Sequence, residues 1–148
     1  MKKLFIYYSF SGNGDVVAEY LSKKVDVYKV VPKKPLSNNK FLGILAGGFK
    51  ALINYKDELD NFDIDTKYDE IIIGSPIWNS RISSPINTVL DKTNLSGKKL
   101  TFILYSGSGT SKGATKRINK LYPSAKIINL KEPLKNKKEL KKIVYLLK

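Results

Sequence analysis

The chain has 148 residues, 42% of them hydrophobic and 27% charged, and its 27 lysines and arginines outnumber 13 acids for a formal net charge of +14. That length suits one domain over residues 1–148, with core enough to fold without disulfide or metal. Cysteine and histidine are both absent. Their absence excludes a thiol nucleophile, a Ser-His-Asp triad, a Cys/His zinc site and an iron–sulfur cluster. Catalysis is left to hydroxyls, carboxylates, amines, backbone groups or a bound cofactor.

In chain order, Lys3–Tyr8 (KLFIYY) is apolar on both faces and predicts a central strand. It is too short for a membrane span and its flanks are turn residues, so a soluble, cytoplasmic protein with no membrane span is expected. Gly14–Lys24 places Val16, Val17, Tyr20 and Leu21 at helical spacing, and Val25–Val31 alternates as a more exposed strand does. After Pro32 and Pro35, the glycine-containing apolar stretch Phe41–Ile53 predicts a helix with loose ends. Glu70–Gly74 is a second buried strand, Ser84–Lys92 a helix, and Lys99–Tyr105 a third central strand. Gly113–Leu121 is helical, Ala125–Leu130 a strand, and Lys137–Leu147 a closing amphipathic helix. Strands alternating with helices imply an α/β protein, a parallel sheet covered on both faces. In such sheets ligands bind beyond the C-terminal strand ends, at the switch point.

Charge is unevenly placed. Seven acids fall between Asp57 and Glu70, whereas residues 112–148 carry twelve cations against Glu132 and Glu139, a net +10. Only Arg81 and Arg117 are arginines, which argues against specific nucleic-acid recognition, since base and bidentate phosphate contacts favour arginine. The basic flank is either a solvated lysine-rich surface or a docking face for an acidic partner.

Three strand-end segments carry unusual chemistry. Ser9-Phe10-Ser11-Gly12-Asn13-Gly14-Asp15 leads from the first strand into a helix, offering more hydroxyl and backbone donors than capping needs and pointing to a phosphate. It is neither a P-loop, which needs a Gly-Lys-Ser/Thr, nor a dinucleotide fingerprint, whose third small position falls on Val17. Ser75-Pro76-Ile77-Trp78-Asn79 holds the only tryptophan, placed either to face a planar ligand or to anchor a loop. Ser106-Gly107-Ser108-Gly109 would let backbone groups approach a ligand closely.

Together these segments resemble the flavodoxin-like family of FMN-binding proteins along essentially the whole chain. Ser9-Phe10-Ser11-Gly12-Asn13-Gly14 is similar to that family's phosphate loop. Ile73-Gly74-Ser75-Pro76-Ile77-Trp78, with Pro85 opening the next helix, and Tyr105-Ser106-Gly107-Ser108-Gly109 resemble its two flavin loops. The resemblance implies a three-layer α/β/α sandwich with a five-stranded parallel sheet ordered 2-1-3-4-5. It implies that Ser9, Ser11, Gly12, Asn13 and Gly14 hold the FMN phosphate and that Trp78 lies on one isoalloxazine face. Ser75, Pro76, Ile77, Asn79, Ser106, Gly107, Ser108 and Gly109 would meet the ring edges. The implied function is electron transfer through non-covalent FMN, with a redox protein or a small-molecule acceptor as partner.

The chain departs from the family pattern in three ways. Gly14 stands where a hydroxyl residue is usual and Asp15 brings negative charge beside it, which implies weaker phosphate binding. No second aromatic is evident after the fourth strand, Tyr105 being expected to point along it. Electron-carrier flavodoxins are usually acidic, and a charge of +14 would repel their basic partners. An FMN-dependent NAD(P)H quinone or nitro reductase therefore stays open, as does a flavodoxin-fold binding module that has lost FMN. Residues 40–53 could form a lid beside the flavin, a dimer contact, or core packing against the sheet.

Overall fold

The computed structural model describes every residue except Thr66. In chain order the elements are β1 (Lys3–Tyr7), α1 (Asn13–Leu21), β2 (Asp26–Lys29), α2 (Lys40–Leu52), β3 (Glu70–Trp78) and β4 (Arg81–Ile82). There follow α3 (Ser84–Lys92), β5 (Lys99–Ser106), α4 (Lys112–Leu121), β6 (Lys126–Lys131) and a C-terminal 3-10 helix, Lys137–Leu147. Five parallel strands lie in the order β2-β1-β3-β5-β6, the 2-1-3-4-5 arrangement expected, and β4 adds an antiparallel sixth strand against the end of β3.

The interior strands are apolar on both faces because both faces are covered. Leu4, Ile6, Ile71, Ile73, Phe102 and Leu104 point to one side, where Ile86 and Val89 of α3 and Ile118 of α4 meet them. Phe5, Ile72, Ile103 and Leu130 point to the other, against Val17 and Leu21 of α1 and Leu140, Ile143 and Leu146 of the C-terminal helix. Each of these side chains except Leu4, Leu140 and Ile71 is at most 1% exposed. At roughly 1.5–3 kcal/mol for each large side chain removed from water, the two layers supply most of the driving force for folding. β2, an edge strand, is mostly exposed, as its alternating sequence predicts.

Two expectations are corrected. The segment after Gly74 is not a loop: β3 continues in register with β5 as far as Pro76 and then pairs with β4 through Ile77 and Trp78. Asn79 and Ser80, both at positive φ (50° and 61°), make the two-residue turn of that hairpin. Pro76 is tolerated because the strand is leaving the sheet there. The closing helix is amphipathic as predicted, but wound as a 3-10 helix.

At the opposite end of the strands Glu70 is completely buried, and its carboxylate accepts from Thr101 Oγ1 (3.1 Å) and Lys99 Nζ (3.2 Å). Burial of this acid is tolerated because both partners are in place.

Candidate functional site

The C-terminal ends of β1, β3 and β5 open into a cavity of about 230 Å³. Of the residues predicted for the site, Ser11, Asn13, Pro76, Ile77, Trp78, Ser106 and Gly107 line it. Gly107 faces outward, with nothing within 4 Å of a Cβ placed on it. The remaining seven predicted residues stand behind or beside this wall. Ser75 is fully buried, and its hydroxyl accepts from Ser83 N (3.1 Å) and lies 2.9 Å from Ser83 Oγ, joining β3 to the start of α3. Asn79 turns away and donates to Gly48 O at 3.1 Å. Ser108 bonds Thr110, and Gly109, at φ 72°, lies against Lys131.

The loop after β1 is organised from within. Gly12 is the N-cap of α1 in the left-handed region (φ 94°) and, lacking a side chain, makes no cap hydrogen bond of its own. A left-handed N-cap is costly for any residue with a Cβ. Ser9 Oγ accepts from Gly14 N at 3.1 Å. Asn13 donates to Ser11 Oγ (3.3 Å) and accepts from Leu134 N (3.0 Å). The helix end therefore presents backbone N–H groups and hydroxyls, a donor set suited to an anion.

Gly14 and Asp15 are both accounted for by their neighbours. A Cβ on Gly14 would fall 2.5 Å from Tyr105 Oη and 2.9 Å from Ser9 Cβ. Tyr105, 2% exposed, runs up beneath the loop and donates to the carbonyl of Tyr8. Glycine is required here because a tyrosine hydroxyl fills the space. Burial, then the charges nearby, push the Tyr105 phenol well above its ordinary range, so it remains a neutral donor. Asp15 does not approach the anion site: its carboxylate reaches Lys29 Nζ (2.7 Å) and accepts from Tyr7 Oη (3.1 Å). Burial, reinforced by Asp15, holds the Tyr7 phenol up at about 12.

Trp78 forms the apolar wall. Tyr8 and Phe10 contact it edge to face, with centroids 6.3 and 5.8 Å away. From outside, α2 presses on it so closely that a Cβ on Gly47 would lie 2.3 Å from the indole. Gly43 is in the same position over Phe10, at 2.4 Å. Residues 40–53 thus sit beside the cavity and supply Lys40 and Ile44 to it. They pack through glycines and leave Phe41, Leu45 and Phe49 exposed (70%, 56% and 64%), the reverse of an ordinary core-facing helix.

The segment after β6 is the largest addition to the predicted site. Glu132, Leu134 and Lys135 line the cavity from the far side. Leu134 occupies the space next to Gly12, 3.1 Å from a Cβ placed there. Sequence reasoning missed these residues, and with them Phe10, Lys40, Ile44 and Tyr105. Phe10 lies inside the first motif as its variable position, and Tyr105 ends the fourth predicted strand. The remaining five carry no motif at all.

An apolar slot with an indole wall, a glycine just beyond the neighbouring strand β5 and helix-start N–H groups at one end suits a flat ring that carries a phosphate. Among the described residues no cluster of acidic side chains could hold a metal ion, and no helix is long and apolar enough to cross a membrane.

Solved structures share this architecture. A candidate flavoprotein from Bacteroides eggerthii superposes with a TM-score of 0.72 at 22% identity, covering 99% of this chain and 97% of that one. A flavoprotein from Lactobacillus acidophilus, solved in complex with FMN, gives 0.71 at 24% identity over 93% and 97%. The apo form of the flavoprotein from the same organism gives 0.58 at 25% identity over 86% and 89%. No curated protein matches the sequence. Residues 2–145 match the flavodoxin family, and the chain belongs to it.

Proposed function

We propose that the protein binds FMN non-covalently in the cavity above β1, β3 and β5 and serves as a cytoplasmic electron-transfer flavoprotein. The observation that carries this reading is the shared wall of Trp78 and the start of α1, which offers an aromatic face and anion donors to one ligand. The FMN complex of the Lactobacillus acidophilus relative supports the choice of flavin. When bound, FMN supplies one- and two-electron redox chemistry.

Within the site, the N–H groups of Gly12 and Asn13 and the Ser11 hydroxyl would hold the phosphate. Trp78, fixed by Tyr8, Phe10 and Gly47, would cover one ring face and exclude water. Backbone groups of Ser106 and Gly107 would meet the ring edge. Tyr105 would keep its proton throughout, as the support of the loop.

The test is titration of the purified protein with FMN, read by visible absorbance and by fluorescence of the single tryptophan. Stoichiometric quenching is expected, together with loss of quenching by riboflavin, which lacks the phosphate. An unchanged emission at saturating FMN would overturn the assignment. A binding module without FMN would need Gly14 and Asp15 to spoil the phosphate site. Gly14 instead makes room for Tyr105, and Asp15 turns to Lys29.

An NAD(P)H-dependent quinone or nitro reductase is the second reading, favoured by one feature. Of the other aromatics lining the cavity, Phe10 packs edge-on to Trp78 and Tyr105 is tied to Tyr8, which leaves the face opposite Trp78 without an aromatic cover. Oxidation of NAD(P)H by a quinone at saturating FMN separates the two: turnover identifies the reductase, and its absence the carrier.

A further inference from the structure

On the other side of the β3–β4 hairpin lies a second groove, of about 410 Å³, between the hairpin tip and α4. Arg81, Lys116, Arg117 and Lys120 line it together with Ser80 and Gly113. Both arginines of a chain that carries 27 cations converge here. Among the described residues no carboxylate pairs with any of the four, although eight ion pairs form elsewhere. Four like charges in one groove repel one another. The Arg117 guanidinium is pulled below its usual range by burial, and Arg81 adds to that.

The groove is also built. Arg117 donates to Asn87 Oδ1 at 2.6 Å, which fixes its guanidinium against α3. Ser80 Oγ accepts from Gly113 N (2.8 Å) and Ser80 O from Ala114 N (2.7 Å), so the hairpin tip caps α4 and holds the two walls together. The Ser80 hydroxyl hydrogen remains available to donate. A side chain at position 113 would collide with Ser80 O, at 2.6 Å. Planar, permanently charged arginines suit the paired oxygens of a phosphate, where lysine offers only a point charge.

We propose that this groove binds the phosphate of a small phosphorylated ligand, and that the ligand is a nicotinamide dinucleotide donor bearing the extra phosphate, NADPH rather than NADH. Choosing that donor rests on the FMN-dependent reductase reading above, whereas the anion site itself does not. The hairpin is the link: Trp78, directly before its turn, lines the flavin cavity, and Arg81, its pairing partner directly after the turn, lines the groove. A donor held here by its phosphate would be anchored next to the redox cavity without competing for the start of α1.

The experiment is calorimetric titration of the FMN-saturated protein with inorganic phosphate, NADPH and NADH at fixed ionic strength. One-to-one phosphate binding is expected, with NADPH about tenfold tighter than NADH, the worth of one charged hydrogen-bonded contact. Arg81→Gln and Lys120→Gln, both exposed, should each weaken phosphate and NADPH about tenfold and leave NADH unchanged. Arg117→Gln is less suitable, because its loss unpairs Asn87. As a control, neutralising Lys137, Lys138 and Lys141 removes more charge from the C-terminal helix and should change neither affinity. Non-saturating phosphate binding, or equal losses in the control, would overturn the site. Saturable phosphate binding with NADPH and NADH equally tight would overturn the donor. If FMN does not bind, the phosphate titration of the same protein still decides the site, so the two readings fail separately.

Discussion

At the residue scale, two glycines predicted for the same site turn out to do different work. Gly14 is a packing glycine: a methyl there meets Tyr105 Oη at 2.5 Å and Ser9 Cβ at 2.9 Å, atoms of a buried phenol and of the loop itself. Gly14→Ala should therefore cost about 1–3 kcal/mol of stability, as overpacked sites do, and lower FMN affinity because the loop shifts. Gly107 meets nothing within 4 Å and its φ is not positive. Gly107→Ala should leave stability within about 0.5 kcal/mol of the parent and weaken only FMN. Urea denaturation paired with FMN titration of both variants checks this: equal stability losses would contradict the assignment. Asp15 teaches the same lesson. Its sequence neighbours suggest interference with a phosphate, but Lys29 and Tyr7, on adjacent strands, draw its carboxylate away.

At the element scale, α2 departs most from expectation. Its sequence suggests apolar packing against the sheet, yet the buried positions are Gly43, Gly47, Gly48 and Ala51. Small residues let the helix backbone approach Trp78 and Phe10 directly, and the large side chains are left outside. Lys50 ties the end of α2 to Asp57 at 2.7 Å, and Asp57 in turn accepts from Ser84 at the start of α3. Gly47→Ala should displace the indole, since a methyl would sit 2.3 Å from it and the helix cannot retreat past that bridge. The overpacking cost of about 1–3 kcal/mol exceeds the gain of about 1 kcal/mol in helix propensity, so net destabilisation is expected. Tryptophan emission should shift to the red as Trp78 meets water. An unshifted spectrum with raised stability would show that α2 is not in contact with Trp78.

At the scale of the whole molecule, the tyrosines set the alkaline limit. Burial, with Asp15 for Tyr7 and Asp57 for Tyr8, raises both phenols from 10.0 to about 12. Between pH 10 and 12 the unfolded chain releases these protons while the folded chain retains them. Folding stability must therefore fall as pH rises through that window, and be fully present below pH 10. Urea midpoints measured from pH 9 to 12 should decline, and Tyr7→Phe should make the decline shallower. A flat profile would contradict the burial of these phenols. Charge acts on the same scale: the acids of residues 57–70 are largely engaged or on the surface, while cations of α4 gather beside the hairpin with no carboxylate partner among the described residues.

The five parallel strands and the three strand-end segments were legible in the sequence because periodicity and turn residues are local signals, and a doubly covered sheet demands apolar strands, whereas the strand order came only with the family resemblance. Trp78 was legible too, as a lone indole at the end of a buried strand. What tertiary structure decided were the pairings between distant segments. Tyr105 beneath Gly14, Leu134 over Gly12, and Gly47 against Trp78 join residues from 31 to 122 positions apart. No local pattern marks such contacts, since a glycine required for close approach reads the same as one required for a turn. Arg81 and Arg117 are likewise two isolated cations in the sequence, and become one groove only when the β3–β4 hairpin caps α4.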